Sequence, residues 1–63
     1  DTSELADIEK KITSLLNLFG GKMSLEDFKK WYERQPIAAK VSFEELTQRI
    51  SWLKVKDGIV QRG

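Results

Sequence analysis

The stretch that decides the fold is residues 41–62, which reads VSFEELTQRISWLKVKDGIVQR. Residues 42–45 (SFEE) place a serine three positions before an acid, the pattern of a capping box at a helix N-terminus. Apolar residues then recur at helical spacing. Residues 57–58 (DG) separate two short β-prone runs, which is a strong signal for a tight hairpin. The stretch therefore predicts a helix that leads directly into a β-hairpin.

The end of this third helix decides where Trp52 lies. The inward stripe of the helix is expected to be Phe43, Leu46, Ile50 and Leu53. If the helix continues to Leu53, the Trp52 indole falls on the opposite side and is exposed. If the helix ends near Ser51, Trp52 folds back over the hairpin. Both readings remain open, and in both Val55 and Val60 are expected to pair across the hairpin and cover the core.

Upstream of this stretch, residues 3–19 have the spacing of an amphipathic helix. Its buried stripe is expected to consist of Leu5, Ile8, Ile12, Leu15, Leu16 and Phe19. Residues 20–21 are both glycine, which accepts the left-handed backbone conformation that ends many helices. The first helix is therefore predicted to stop at Phe19, with that ring in the core.

A second helix is predicted to begin at Ser24, after a short strand at residues 22–23. Ser24 has an acid three residues later, and Met23 and Phe28 occupy the two positions of a hydrophobic staple. The expected buried stripe is Leu25, Phe28 and Tyr32. Pro36 ends the helix, because the residue before a proline is pushed out of the helical region. The short strand is expected to pair with the hairpin.

Length and composition bound the class of protein. The chain has 63 residues, of which 40% are hydrophobic and 33% charged, so we expect one globular domain spanning residues 1–63. It does not begin with methionine, and we expect it to be cut from a larger protein. No apolar run approaches the roughly 20 residues that span a bilayer. We expect an intracellular protein without membrane contact, in the nucleus or the cytoplasm.

Catalysis is not expected. The chain contains neither cysteine nor histidine, which excludes disulfides, thiol nucleophiles, Cys/His zinc sites and histidine acid–base chemistry. Its carboxylates fall mainly at helix starts, where they suit the helix dipole. We therefore predict a protein that is not an enzyme and that has no cofactor, metal or small-molecule substrate.

Charge is distributed unevenly. Residues 1–27 carry three lysines against six acids, a sum of −3, whereas residues 28–63 carry eight Lys and Arg against four acids, a sum of +4. This asymmetry is compatible with a basic binding face and equally with ordinary solvated helix surface. The residues predicted to bind nucleic acid are Lys40, Gln48, Arg49, Trp52, Lys54, Lys56 and Arg62.

Each candidate has a role. Gln48 and Arg49 on the third helix are placed to contact base edges or phosphates, and the lysines along the hairpin to neutralise phosphate. Trp52, if exposed, offers a stacking surface. Glu44 and Glu45 argue against entry of this helix into a groove, since they would repel phosphate. Their local function is clear, because Glu45 is expected to close the capping box.

A protein partner is the alternative to nucleic acid. Trp52, Arg49 and Trp31 would then anchor the partner, and Glu44 and Glu45 would pair with its basic groups. Trp31 is also compatible with a partly buried position at the edge of the core. A purely structural spacer is the third possibility. A steep fall of binding with salt would favour nucleic acid.

The order helix, short strand, helix, helix and hairpin resembles the winged helix-turn-helix superfamily, on residues 20–28 (GGKMSLEDF) and 46–62. The fold class expected is mainly α with a small hairpin, a winged helix; a three-helix bundle is the main rival. The glycine-rich entry to helix two also resembles LOTUS domains and the N-terminal winged helices of zinc-finger antiviral proteins. That resemblance implies binding of RNA or of a DEAD-box helicase. Residues 36–39 (PIAA) depart from the LOTUS pattern, and no family binding residues are carried over.

Overall fold

The computed structural model describes residues 2–63, with side chains described from Glu4 onward. It contains three α-helices, a short 3-10 turn and three β-strands. In chain order these are α1 (Thr2–Leu18), β1 (Lys22–Ser24), α2 (Leu25–Glu33), the 3-10 turn (Pro36–Ala39), α3 (Phe43–Arg49), β2 (Leu53–Lys56) and β3 (Ile59–Arg62). The strands form one antiparallel sheet in the order β1-β3-β2. The molecule is thus mainly helical with a small sheet.

The end of α1 follows the glycine signal. The Gly21 N–H donates to the Leu16 carbonyl at 2.7 Å, the Gly20 N–H donates to the Asn17 carbonyl, and Gly20 has φ +73°. These are the bonds of a Schellman motif, which needs a left-handed residue. The prediction that Phe19 lies in the core is wrong, because the ring is 52% exposed. Its position on the helical wheel is inward, but α1 ends at Leu18 and Phe19 lies in the turn that follows.

Helix α2 begins as predicted. The Ser24 hydroxyl accepts a hydrogen bond from the Asp27 N–H at 3.2 Å, and Phe28 and Tyr32 are buried on the inward side. The Tyr32 hydroxyl donates to the Val41 carbonyl, which fastens the segment before α3 to α2. The 3-10 turn after α2 was not foreseen from the sequence, and it buries Ile37 against the core.

Helix α3 is shorter than the hydrophobic spacing indicates. The Ser42 hydroxyl accepts from the Glu45 N–H at 3.2 Å, so the predicted cap is confirmed. The Glu45 side chain does not close the box; it accepts from Arg49 Nε at 2.8 Å instead. The helix ends at Arg49, and Ile50 has extended backbone angles. A turn in which the Leu53 N–H donates to the Ile50 carbonyl then buries both side chains without further helix.

The hairpin forms at residues 57–58 as predicted. Asp57 and Gly58 have φ of 55° and 73°, the two positive values that a type I′ turn requires. Met23 and Val55 both pair with Val60, so the three side chains share the inner face. Val60, on the central strand, is fully buried, whereas Val55, on the edge strand β2, is 39% exposed. The expectation that Val55 covers the core is therefore wrong.

The core lies between the three helices and the inner face of the sheet. Its fully buried large side chains come from every layer and are Ile12, Phe28, Tyr32, Leu46, Ile50 and Val60. Phe43 was expected in the core and is half-buried at its edge, where its ring packs edge-on against Phe28 at 5.6 Å. No buried side-chain polar atom among the described residues lacks a hydrogen-bond partner. Because the core packs against the inner face of the sheet, the opposite face of the sheet is left toward solvent.

Candidate nucleic-acid interface

The sheet has an outer face that points away from the core. Residues that pair directly across antiparallel strands lie on the same face. Lys22 pairs with Gln61, which pairs with Lys54, and in the next row Ser24 pairs with Ile59, which pairs with Lys56. We call these six residues the outer sheet face. It brings together lysines from both edge strands, with Gln61 and Ile59 on the central strand between them.

The geometry of the sheet spaces these lysines regularly. Lys22 on β1 and Lys54 on β2 lie on either side of the central strand β3, so their backbones are separated by about 10 Å. Lys54 and Lys56 are two residues apart on one strand, a distance of roughly 7 Å. All three side chains are exposed. Long flexible ammonium groups at these spacings can reach successive phosphates of a nucleic-acid backbone.

The lysines of the outer sheet face have no carboxylate partner within ion-pair distance among the described residues. The nearest acid along the hairpin is Asp57, held at the turn by its left-handed backbone. A cation without a partner keeps its full field toward solvent and can exchange its counterions for a phosphate. The outer sheet face is therefore a cationic surface with one acid at its tip.

Trp52 resolves the question that the sequence left open. Because α3 ends at Arg49, Trp52 lies in the turn before β2, half-buried against the core cluster. The Arg62 guanidinium sits over the indole at 5.1 Å from the ring centroid. This cation–π contact covers part of the ring. The interpretation in which the helix ends early and Trp52 folds back is confirmed, and a freely exposed stacking platform is not formed.

The outer surface of α3 is less suited to phosphate than the sequence pattern indicates. Arg49 is held by Glu45 in the same helix at 2.8 Å. Gln48 is exposed, but it lines a shallow hollow together with Glu44 and Glu45. Arg49 is the single cation of α3, and it lines the same hollow as the carboxylates of Glu44 and Glu45. The local charge of this surface is therefore close to neutral or negative.

Lys40 is also neutralised by a neighbour. Its ammonium donates to Glu4 Oε1 at 2.9 Å, joining the segment before α3 to the first turn of α1. The hydrogen bond from Lys40, followed by its charge, lowers the pKa of Glu4 below its ordinary value of 4.5. Lys40 and Arg49 line one hollow with Glu4 and Glu45, where the charges balance. Neither cation belongs to the outer sheet face.

The structure thus divides the seven predicted residues into groups. Lys54 and Lys56 lie on the outer sheet face, Trp52 and Arg62 form a stacked pair beside it, and Lys40, Gln48 and Arg49 lie around α3. Lys22 was missed. The alternation of polar and apolar residues at positions 22–24 was the available signal in the sequence. Only the pairing of β1 with β3 places Lys22 on the same face as Lys54.

The anchors proposed for a protein partner lie in different places. Trp31 is half-buried, with its ring 5.6 Å from that of Phe28 on α2. Trp52 is under Arg62, and Arg49 faces Glu45. Within residues 2–63, no cluster of three or more acidic, histidine or cysteine residues is placed to hold a metal ion. No helix in that range is long and apolar enough to cross a bilayer.

Comparison of this chain with protein-family models, curated proteins and solved structures found no match. The site must therefore be interpreted from its own geometry and charge.

Proposed function

We propose that this chain is a winged-helix module that binds nucleic acid through the outer sheet face. The order helix, strand, helix, helix and hairpin, with β3 between β1 and β2, supports that fold assignment. The observation that carries the function is the set of unpaired lysines Lys22, Lys54 and Lys56 on one face. Arg62 pairs with buried Leu53 and stacks on Trp52, so it does not belong to this set.

The side chains of the outer sheet face determine how it would bind nucleic acid. Its central strand presents Ile59 and Gln61, and the described residues place no aromatic ring among them. Stacking of unpaired bases needs such rings. The contacts are therefore to phosphate, with little dependence on sequence, and α3 contributes little because its charges are balanced. Non-specific binding of this kind has a Kd of about 10⁻⁴ to 10⁻⁶ M at physiological salt.

The test is a titration of isotope-labelled protein with single-stranded RNA, duplex RNA and duplex DNA across a range of salt. Three phosphate contacts predict a slope of log affinity against log salt of roughly −2.7 on duplex DNA and roughly −2.1 on a single strand. Affinity should fall roughly twentyfold to fortyfold between 50 and 200 mM salt. The shifts should map to the outer sheet face, and the strongest binder identifies the polymer.

A matched pair of variants separates the face from net charge. The triple variant Lys22→Gln, Lys54→Gln, Lys56→Gln should lose most of the affinity and flatten the salt slope. The control Lys29→Gln, Lys30→Gln, Lys40→Gln removes the same charge from other exposed sites, two of them already ion-paired, and should bind nearly as the parent does. Equal losses in both variants, or no binding by the parent protein at low salt, would refute the proposal.

A further inference from the structure

The C-terminal end of α1 leaves large apolar side chains in solvent. Leu18 is 83% exposed, more than any other large hydrophobic residue described, and Phe19 follows it at 52%. Single exposed apolar residues are ordinary on protein surfaces. Leu18, however, lines one hollow together with half-buried Leu15, one turn earlier, and Trp31 on α2. The apolar surface is therefore continuous from α1 to α2.

A shallow groove of about 390 Å³ lies between the two helices. Its lining consists of the apolar residues Leu15, Leu18 and Trp31 and the polar residues Lys10, Lys11, Ser14 and Gln35. We call this the α1–α2 groove. Lys11, Leu15 and Leu18 follow i, i+4 and i+7 spacing, so the groove extends for two turns, or roughly 11 Å. This length matches about two turns of a partner helix.

The charge around the groove selects the partner. Lys10 and Lys11, the two lysines that line the groove, have no ion-pair partner among the described residues. No carboxylate of these residues lines the groove. Glu9 is the nearest acid along α1 but does not line the groove, and Asp7 shares the neighbouring hollow beside Pro36 with Lys11. A second copy of the chain docked symmetrically would add two more lysines and no carboxylate of residues 4–63 to the same contact, which is unfavourable. The complementary occupant is an apolar segment flanked by carboxylates.

We propose that the α1–α2 groove binds an acidic amphipathic helix of a partner protein, with apolar side chains on Leu18 and Trp31 and carboxylates toward Lys10 and Lys11. The surface is separate from the outer sheet face, since the two share no residue. The domain then has two independent binding surfaces, one for a polyanion backbone and one for a protein segment. Failure of either proposal leaves the other intact.

The probe is a labelled synthetic helix of about 14 residues with a stripe of leucines flanked by glutamates, and its counterpart has lysine in place of every glutamate. The expected result is binding of the acidic peptide alone, with chemical-shift changes at Leu15, Leu18 and Trp31. Leu18→Ser should weaken binding about tenfold or more, because an anchor is lost while little of the fold depends on this exposed side chain. Val55→Ser, at another exposed apolar residue, is the matched control and should bind normally.

Charge reversal provides the sharper test. The double variant Lys10→Glu, Lys11→Glu should lose the acidic peptide and gain the basic one. Equal binding of both peptides by the parent protein, or shifts confined to the outer sheet face, would overturn the proposal. It would also fail if the protein dimerised through the groove, or if anionic vesicles but not the acidic peptide shifted Leu18.

Discussion

The outer sheet face and the surface of α3 both carry cationic side chains, but only the former leaves them unpaired. Around α3, Arg49 meets Glu45 and Lys40 meets Glu4, each within 3 Å. On the sheet, strands bring Lys22 beside Lys54 with no carboxylate opposite. Within α3, residues four apart lie side by side, so Glu45 in the first turn reaches Arg49 in the last, whereas Lys40 and Glu4 come from distant segments. Strand pairing also joins distant segments, but here it brings like charges together.

The largest effect on stability and on nucleic-acid binding should come from a change in the hairpin turn, because this turn joins β2 to β3. Gly58→Ala puts a Cβ on a residue with φ +73°, at a cost of about 1 to 2 kcal/mol. The unfolding midpoint should fall by roughly 4 to 8 °C for each kcal/mol. Nucleic-acid binding should weaken with it, because the hairpin carries Lys54 and Lys56. Thermal unfolding followed by circular dichroism, with the titration repeated at low temperature, measures both.

A conservative change in the same turn is the control. Asp57→Asn keeps a residue type that tolerates the left-handed conformation and removes the one acid at the hairpin tip. Its stability should match that of the parent, and binding should strengthen slightly. If Asp57→Asn weakened binding as much as Gly58→Ala, the outer sheet face would not be the cationic surface that matters.

An intermediate effect on stability is expected at Tyr32, whose hydroxyl joins α2 to the segment before α3. Burial, assisted by the charge of Glu45, raises the pKa of Tyr32 above its ordinary value of 10.0. The folded state therefore holds this proton more tightly than the unfolded state. The resulting stability is present below pH 10 and is lost as pH rises through the folded pKa. Tyr32→Phe should cost about 1 kcal/mol at neutral pH, since the bond to the Val41 carbonyl is lost.

Urea unfolding of the parent protein and of Tyr32→Phe, at pH 7 and at about pH 11, tests this assignment, because the difference in stability between the two proteins isolates the phenol. The stability gap between the parent protein and Tyr32→Phe should narrow at the higher pH. A gap of constant size would show that the hydroxyl does not titrate as the structure indicates. The outer sheet face should bind nucleic acid normally in the variant at neutral pH.

The smallest effect concerns the ion pair beside α3. The pKa of Glu4 is lowered by Lys40, so the folded state releases this proton more readily than the unfolded state. The stability that results is present above pH 4.5 and is lost as pH falls through the folded pKa. Glu4→Gln should remove that part of the acid transition and little else, because the pair is exposed to solvent. Acid unfolding that is steeper in the variant would contradict the assignment.

Local signals in the sequence determined much of this protein. The serine caps at Ser24 and Ser42, the glycines that close α1 and the Asp-Gly turn depend on a few adjacent residues, so their spacing was sufficient to predict them. Hydrophobic spacing likewise identified Phe28, Tyr32 and Leu46 as core. These features required no knowledge of which elements meet.

Only the tertiary structure decided the rest, because it depends on which distant segments meet. The end of α3 at Arg49 is set by the need to bury Ile50 and Leu53 while turning into β2, and this places Trp52 under Arg62. Phe19 and Val55 fit the inward pattern, but Phe19 lies in the turn after α1 and Val55 on an edge strand, and both are exposed. Lys22 joins Lys54 and Lys56 through pairing of β1 with β3, since the sheet order sets which charges share a face.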